Sequence, residues 1–233
     1  MIPPKFLRKA RFALVYPLVI WLLIAASPTE KLLRWGGLII VLGELLRLWA
    51  NGYVGHVKVG RDIRADRTVV PKGQLITAGP YAFVRHPLYL GTMLIGIGFC
   101  LAVGNIWLAA ASLLFFLTVY RSKMSEEEQR IREAYPSYAH YEHHVPRWWP
   151  TFRRYAQRHG HWQWRGILAS KEWKTVIWIT VLFIVLYFHE EILEHKGLMP
   201  HQHIKHMTLM VLTVALIAWD IGFEIRRRLK RAA

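Results

Sequence analysis

The stretch Q-L-I-T-A-G-P-Y-A-F-V-R-H-P-L-Y, from Gln74 to Tyr89, decides how the rest of the chain is organised. It places an arginine, a histidine and two tyrosines directly before a long apolar run. Charged and polar side chains at the mouth of a membrane helix are costly unless they hold something polar. Pro80 and Pro87 restrict the backbone before them, which indicates a shaped loop and a helix that begins at Pro87. The stretch therefore predicts a binding site rather than only a collar of interfacial side chains.

The composition indicates a membrane protein with basic loops. Of the 233 residues, 54% are hydrophobic, and 31 Lys and Arg stand against 15 Asp and Glu. A soluble protein this basic would suggest nucleic acid as its partner, but here the apolar residues come in blocks with the charges between them. We therefore expect membrane lipids, and no nucleic acid, as partners. The single cysteine, Cys100, excludes an intrachain disulfide and any multi-cysteine metal site.

Six apolar blocks predict an all-α, polytopic membrane helical bundle with about six spans. The blocks are residues 12–26, 32–50, 88–103, 106–120, 176–188 and 207–223. The first block could also be a cleaved signal peptide, but the second block follows so closely that we favour an anchor. Only Gly104-Asn105 separates the third block from the fourth, which predicts an antiparallel helical hairpin. Small residues should allow close packing of its first helix, namely Gly91, Gly96, Gly98 and Ala102.

The distribution of basic residues predicts the orientation of these spans. With six spans and both termini on one side of the membrane, 26 Lys and Arg fall on that side and 4 on the other, while Arg47 lies within a span. Basic residues concentrate in cytoplasmic loops. We therefore expect an integral, multi-pass membrane protein whose N- and C-termini and 74–89 stretch are cytosolic.

A polar segment after the central hairpin predicts a helix with an inward face. Hydrophobic residues at helical spacing define that face, namely Met124, Ile131 and Tyr135. Glu127 and Glu128 fall between them, so at least one carboxylate should point inward, whereas Glu126 is typical of a solvated charge run. Pro136 should end the helix.

These motifs resemble the isoprenylcysteine carboxyl methyltransferase and phospholipid methyltransferase superfamily, whose members are integral membrane enzymes that use S-adenosylmethionine. The residues that carry the resemblance are Gly79-Pro80-Tyr81, Arg85-His86-Pro87-Leu88-Tyr89-Leu90-Gly91, Glu127-Glu128, Tyr138, Tyr141 and Val145-Pro146. The departures from the family pattern are Ile131 for Leu, Tyr135 for Phe and Pro136 for Gly. The similarity covers about residues 43–150, which is less than half of the chain.

The resemblance implies a cofactor pocket and a set of site residues. A membrane methyltransferase core would occupy residues 1–150, with a cytosolic pocket within residues 73–150 that loops and the helix after the central hairpin form. Residues 151–233 would add an interfacial segment, a two-span hairpin and a basic tail. S-adenosylmethionine would be held by Gln74, Leu75, Ile76, Tyr81, His86, Pro87, Leu88, Tyr89 and Glu127. Catalysis is assigned to Lys123, Arg85 and Glu128, and no metal is required.

The implied acceptor of the methyl group is lipophilic or lipidated and enters from the bilayer. It would be either an isoprenylcysteine-type carboxylate or a phospholipid or other lipid amine. Lys123 stands where isoprenylcysteine enzymes carry an arginine that contacts the substrate, and a lysine there suits a carboxylate or a phosphate. The sequence shows no obvious dedicated base for the deprotonation of an amine.

Two other interpretations remain open from the sequence. An NADPH-dependent sterol or steroid reductase is the main alternative, although Leu88 and Thr92 replace the Asn and Asp of the reductase pattern. A non-enzymatic protein with a decayed site is the other. Separately, the loop of residues 189–206 is rich in His and Glu and could bind a transition metal. We favour a polar loop without metal there.

Overall fold

The computed structural model describes residues 26–54, 75–170, 172–195 and 203–232. Every regular element within these ranges is helical, which confirms the predicted all-α class. The α-helices are α1 (Glu30–Val54), α2 (Pro87–Val103), α3 (Ile106–Ala134), α4 (Tyr138–His144), α5 (Trp164–Ser170), α6 (Glu172–His195) and α7 (His203–Ala232), and a 3₁₀ turn at Gly79–Ala82 precedes α2. The first predicted span, except for Ala26, lies outside the described residues.

Paired glycines bring α1 and α2 into close contact. A Cβ atom at Gly43 would lie 2.7 Å from the carbonyl oxygen of Gly91, and one at Gly98 would lie 2.7 Å from that of Gly36. The partners on each helix are seven residues apart in opposite order, so the two helices run antiparallel. Gly96, which was also predicted to pack closely, instead faces open space.

α6 also packs against α1 in the antiparallel sense. Leu186 of α6 belongs to a buried cluster with Leu33 of α1 and Ala102 of α2. Farther along, the ring of Phe183 lies 2.9 Å from the position of a Cβ at Gly37. The first part of the C-terminal hairpin therefore packs onto the same helix that carries the close contact with α2.

α3 is longer than the sequence predicted. The apolar block 106–120 and the polar helix after it were expected as two elements, but they form one helix of 29 residues. The polar part is rich in Glu, Gln and Arg, which are strong helix formers, so nothing interrupts the helix at the end of the apolar block. Gly104 ends α2 with φ +78°, which gives the predicted hairpin, and α3 ends before Pro136 as predicted.

Two helices within the described ranges are long and apolar enough to cross a bilayer. They are Glu172–Glu191 in α6 and His206–Arg226 in α7. α2 is apolar but has 17 residues, which is about 26 Å at 1.5 Å per residue. α1 carries Glu44 and Arg47 within its apolar block. The two apolar helices support placement in a membrane, whereas the six-span count and the cytosolic orientation stay predictions.

The loop before α2, residues 75–86, is here called the motif loop, and residues 145–163, called the covering segment, run antiparallel along it. Backbone hydrogen bonds join the two at Arg85 N to Pro146 O (2.9 Å), Thr151 N to Phe83 O (2.9 Å), Tyr155 N to Ala82 O (3.0 Å) and Thr77 N to His159 O (3.0 Å). Gly79 has φ +63°, and a Cβ there would lie 2.2 Å from the ring of Tyr53. Only glycine therefore suits this turn of the motif loop.

Candidate functional site

Glu128 of α3 lies at the centre of a buried charged cluster. Its Oε1 atom accepts hydrogen bonds from His86 Nε2 at 2.9 Å and from Arg147 Nε at 3.1 Å, and its Oε2 accepts one from Arg147 Nη2. Arg85 Nη1 lies 3.2 Å from Oε1. The side chain of Glu128 is 2% exposed, so these partners replace nearly all of its contact with water. This carboxylate joins α3, the motif loop and the covering segment.

The cluster keeps Glu128 ionised. Burial alone would raise the pKa of this carboxyl group, but the hydrogen bonds from His86 and Arg147 and the charge of Arg85 outweigh burial and lower its pKa to about 2. An ionised carboxylate only accepts hydrogen bonds, so His86 carries a proton on Nε2. The sequence prediction that at least one carboxylate of the pair points inward is confirmed.

Arg85 extends the cluster towards α4. Its Nη1 atom donates to Glu142 Oε1 at 2.7 Å and lies 3.4 Å from the hydroxyl oxygen of Tyr138. Arg132 donates to the other oxygen of Glu142 at 2.7 Å. The Nε atom of Arg85 is buried and has no hydrogen-bond acceptor among the described residues. This donor is therefore available to a group other than the described residues.

Glu127 has a different environment from its neighbour in sequence. It is only partly buried, and its Oε2 atom accepts a hydrogen bond from the hydroxyl of Tyr89 at 3.0 Å. The pKa of Tyr81 is raised well above its ordinary value, first by burial and then by the nearby charge of Glu127. The ring of Tyr89 lies 5.6 Å from that of His86 and 5.1 Å from that of Tyr120. One carboxylate and several aromatic rings thus gather beside the first turn of α2.

Aromatic residues of α4 and the covering segment pack against the motif loop. Their buried cluster consists of Ala82, Tyr138, Tyr141, Val145 and Tyr155. Tyr141 donates its hydroxyl hydrogen to the carbonyl oxygen of Tyr81 at 2.7 Å. These residues fix the backbone at the end of the G-P-Y motif.

Nearly all of the predicted site residues fall in the described part of the chain. They lie in the motif loop, the first turn of α2 and the polar half of α3, and they are Leu75, Ile76, Tyr81, Arg85, His86, Pro87, Leu88, Tyr89, Lys123, Glu127 and Glu128. Gln74 lies outside the described residues. Lys123 lies one helical turn before Glu127, with its Nζ atom 5.1 Å from the ring centroid of Tyr120. The roles of all these residues in binding and catalysis stay predictions.

Sequence reasoning missed two charged members of the cluster, Arg147 and Glu142. Arg147 directly follows Val145-Pro146, so its position beside a motif was a usable signal. Glu142 lies among histidines in α4, and nothing local marks it as the partner of Arg85.

A second buried network lies on the other side of the first turn of α2. Arg47 donates to Glu172 Oε1 at 2.5 Å and to Thr92 Oγ1, and its Nη1 lies 3.5 Å from the carbonyl oxygen of Leu88. Asn51 Nδ2 donates to Glu172 Oε2 at 2.9 Å. Arg47, which the sequence placed within a span, therefore connects α1 to both α2 and α6.

The histidine-rich loop is only partly described. Within the described part, His206 Nε2 lies 3.5 Å from Glu191 Oε1. The described ranges contain no group of three or more His, Cys, Asp or Glu side chains that could hold a metal ion. Residues 196–202 lie outside those ranges, so the metal hypothesis for this loop stays untested.

The arrangement around the motif loop suits a zwitterionic ligand that carries an aromatic ring. Glu127 can pair with an ammonium group, and Arg85 can donate to a carboxylate. The faces of Tyr81 and Tyr89 can stack on a ring or attract a cation. Glu128 is not available to a ligand in this way, because its two carboxylate oxygens already bind His86, Arg85 and Arg147.

Comparison with known proteins assigns the part of the chain that holds this site. The sequence model of the family described as phospholipid methyltransferase matches residues 32–137. The cobalt-zinc-cadmium resistance protein CzcN of Cupriavidus metallidurans is 27% identical over 124 residues, which cover 53% of this chain and 51% of that protein. The nickel-cobalt-cadmium resistance protein NccN of Alcaligenes xylosoxydans xylosoxydans is 27% identical over 122 residues, which cover 52% and 51%. The chain spans about half the length of these curated relatives, and no solved structure gives a significant match.

The matched segment contains α1, the motif loop, α2 and α3. It therefore includes both glutamates of the pair and the R-H-P-L-Y motif, and nothing in the match supports the reductase alternative. The family is one of membrane-associated methyltransferases. Residues 32–137 of this chain are thus similar to the phospholipid methyltransferase family, which confirms the resemblance to the isoprenylcysteine carboxyl and phospholipid methyltransferase superfamily.

Proposed function

We propose that this protein transfers a methyl group from S-adenosylmethionine to a lipophilic acceptor that enters from the bilayer. The observation that carries the proposal is the contrast within the glutamate pair beside one motif loop. Glu128 is bound by His86, Arg85 and Arg147 and shapes the loop, while Glu127 stays partly exposed beside Tyr89. In a site with this division, Glu128 fixes the surrounding backbone and Glu127 can bind a ligand.

The residues present fit S-adenosylmethionine. Glu127 suits its ammonium group, and the buried Nε of Arg85 suits its carboxylate. Tyr81 and Tyr89 offer aromatic faces for the adenine or the sulfonium. Leu75 and Ile76, both partly buried at the start of the motif loop, provide apolar surface for the adenosine part.

The chain contributes binding and orientation, whereas the bound cofactor supplies an activated methyl group. Methyl transfer is a direct displacement, so holding the acceptor in line with the methyl group supplies most of the catalytic benefit. Glu128 holds the motif loop against the covering segment and thereby fixes the side chains that would bind the cofactor. Lys123, on the same helix as both glutamates, is the candidate contact for an anionic group of the acceptor. In this proposal the pocket and both termini are cytosolic, and the reaction uses no metal.

The test is a calorimetric titration of the detergent-purified full chain with S-adenosylhomocysteine and, separately, with NADPH. We expect micromolar binding of S-adenosylhomocysteine and none of NADPH. Glu127→Ala should abolish that binding, because it removes the partner of the ligand ammonium, whereas Glu126→Ala, on the exposed face of the same helix, should not change it. Binding of NADPH alone, or equal affinities in the two variants, would refute the proposal.

A further inference from the structure

Glu44 of α1 is a buried carboxylate without a hydrogen bond. The residue is 8% exposed, and neither of its side-chain oxygen atoms has a hydrogen-bond partner among the described residues. The nearest cation in the described part of the chain is Arg47, whose Nε lies 3.7 Å from Glu44 Oε2, which is too far for a hydrogen bond. A buried charge in this state is costly unless something else completes its environment.

Arg47 cannot fully neutralise Glu44, because its donors are directed elsewhere. They reach Glu172 Oε1, Thr92 Oγ1 and the carbonyl oxygen of Leu88. Two carboxylates therefore share a single guanidinium in this network. A positively charged group that donates hydrogen bonds would complete the surroundings of Glu44.

The position of Glu44 relates it to the proposed reaction. Its neighbour Gly43 packs against the backbone of Gly91, and Arg47 binds Leu88 and Thr92, so this network lies along the first two turns of α2. Tyr89, in the same turns, donates to Glu127 on the other side. The network around Arg47 and the one around Glu127 and Glu128 therefore both contact the R-H-P-L-Y motif. Glu44 lies within the apolar block of α1, next to the apolar helix α2.

We propose that Glu44 binds the amino group of the methyl acceptor and takes its proton, so that the acceptor is a lipid amine rather than a carboxylate. The inference rests on the proposed function. An ammonium group cannot attack, because its nitrogen has no lone pair until a proton leaves. The carboxylate of Glu44 receives that proton, the nitrogen lone pair forms the new N–CH₃ bond, and the S–CH₃ bond breaks with its electron pair left on sulfur. The products are the methylated amine and S-adenosylhomocysteine.

The same geometry disfavours a carboxylate acceptor. An anionic acceptor group would stand beside Glu44 and Glu172 with only Arg47 between them, and like charges in a site of low polarity repel strongly. The base that the sequence did not reveal is thus found in α1, outside the motifs.

The first experiment measures binding without turnover. The full chain, saturated with S-adenosylhomocysteine, is titrated with dihexanoyl phosphatidylethanolamine and with dihexanoyl phosphatidylglycerol, which has the same phosphodiester and chains but no amine. We expect at least tenfold tighter binding of the amine lipid. Glu44→Gln should abolish this preference, whereas Glu30→Gln, an exposed carboxylate on the same helix that pairs with Arg34, should keep it.

The second experiment measures methyl transfer to phosphatidylethanolamine in phosphatidylcholine nanodiscs. Loss of a general base lowers rates about 10²–10⁴-fold, so we expect a fall of that size in kcat for Glu44→Gln, with S-adenosylhomocysteine affinity within threefold of wild type. Unchanged turnover and lipid preference in Glu44→Gln would overturn the inference, as would methylation of a farnesylcysteine carboxylate but not of the amine lipid.

Two controls separate the possible failures. If wild-type protein does not bind S-adenosylhomocysteine, the proposed function itself fails, and the role of Glu44 fails with it. If Glu44→Gln alone loses S-adenosylhomocysteine binding, Glu44→Asp decides, because it retains the charge. Preference for the amine lipid in Glu44→Asp supports the inference, and loss of that preference overturns it.

Discussion

Replacing Glu128 with Gln should destabilise the protein by about 3 kcal/mol. Burial raises the pKa of this carboxyl group, yet the hydrogen bonds from His86 and Arg147 and the charge of Arg85 bring it from 4.5 down to about 2. A tenfold change in proton affinity corresponds to about 1.36 kcal/mol, so ionised Glu128 is stabilised by about 3 kcal/mol relative to the unfolded chain. Removing one partner of a buried ion pair costs about 3–5 kcal/mol, which agrees with this value.

The effect is measurable as a lower midpoint of thermal unfolding in detergent. Proteolysis, which digests the unfolded fraction, can be used to determine this midpoint. For a protein of this size, about 3 kcal/mol corresponds to a decrease of about 6–12 °C. The matched control is Glu126→Gln, two residues away in the same helix, whose exposed side chain lies 3.7 Å from Arg130. An exposed pair contributes less than about 1 kcal/mol, so this variant should change the midpoint little. Equal decreases in the two variants would refute the central role assigned to Glu128.

The same network predicts how stability depends on pH. The folded-state pKa of Glu128 is lowered, so its contribution is fully present above the unfolded value of 4.5 and is lost as the pH falls towards 2. The difference in unfolding free energy between wild type and Glu128→Gln should therefore shrink steadily between pH 5 and pH 2. A difference that stays constant or grows on acidification would contradict the assigned ion pairs.

Two further substitutions test the packing that positions the site. Gly91→Ala places a Cβ 2.7 Å from the carbonyl oxygen of Gly43 and should destabilise the protein by about 1–3 kcal/mol, whereas Gly96→Ala meets no atom within 4 Å and should be neutral or stabilising by up to about 1 kcal/mol. Similar unfolding midpoints for the two alanine variants would exclude close α1–α2 packing at this glycine. Glu172→Gln removes the carboxylate that Arg47 and Asn51 bind, while Glu44 stays near Arg47, and should cost about 1.5–3 kcal/mol; a change below about 1 kcal/mol would show that the pair does not join α6 to α1.

The sequence predicted those features that depend on local chemistry. The break at Gly104-Asn105 gave the hairpin, because a glycine tolerates the left-handed conformation that ends α2. The hydrophobic spacing around Met124 and Ile131 predicted that one glutamate of the pair points inward, and Glu128 is buried in the structure. The boundary expected near residue 120 was wrong, because a change from apolar to polar residues marks the edge of a hydrophobic environment and not the end of a helix.

The sequence could not predict which charges pair. Arg85 binds Glu142, 57 residues later, and Arg47 binds Glu172, 125 residues later. Neither pair has a spacing that secondary structure imposes, so only the packing of the motif loop against α4, and of α1 against α6, brings the partners together. For the same reason the spacing of Glu44 and Arg47, three residues apart in a helix, does not show that Arg47 is directed mainly elsewhere in the structure.

The residues after 137, which lie beyond the family match, contribute side chains and backbone donors to the site. Buried Glu172 needs Arg47 and Asn51 of α1, and those two side chains in turn need a carboxylate, since a lone buried charge costs several kcal/mol. The covering segment supplies Arg147 to Glu128 and backbone donors to the motif loop. Residues after 137 therefore stabilise both networks that flank the first turn of α2. A fragment limited to the matched residues would lose Glu172, which binds Arg47, and Arg147, which binds Glu128, so we infer that the matched segment requires the rest of this chain to fold.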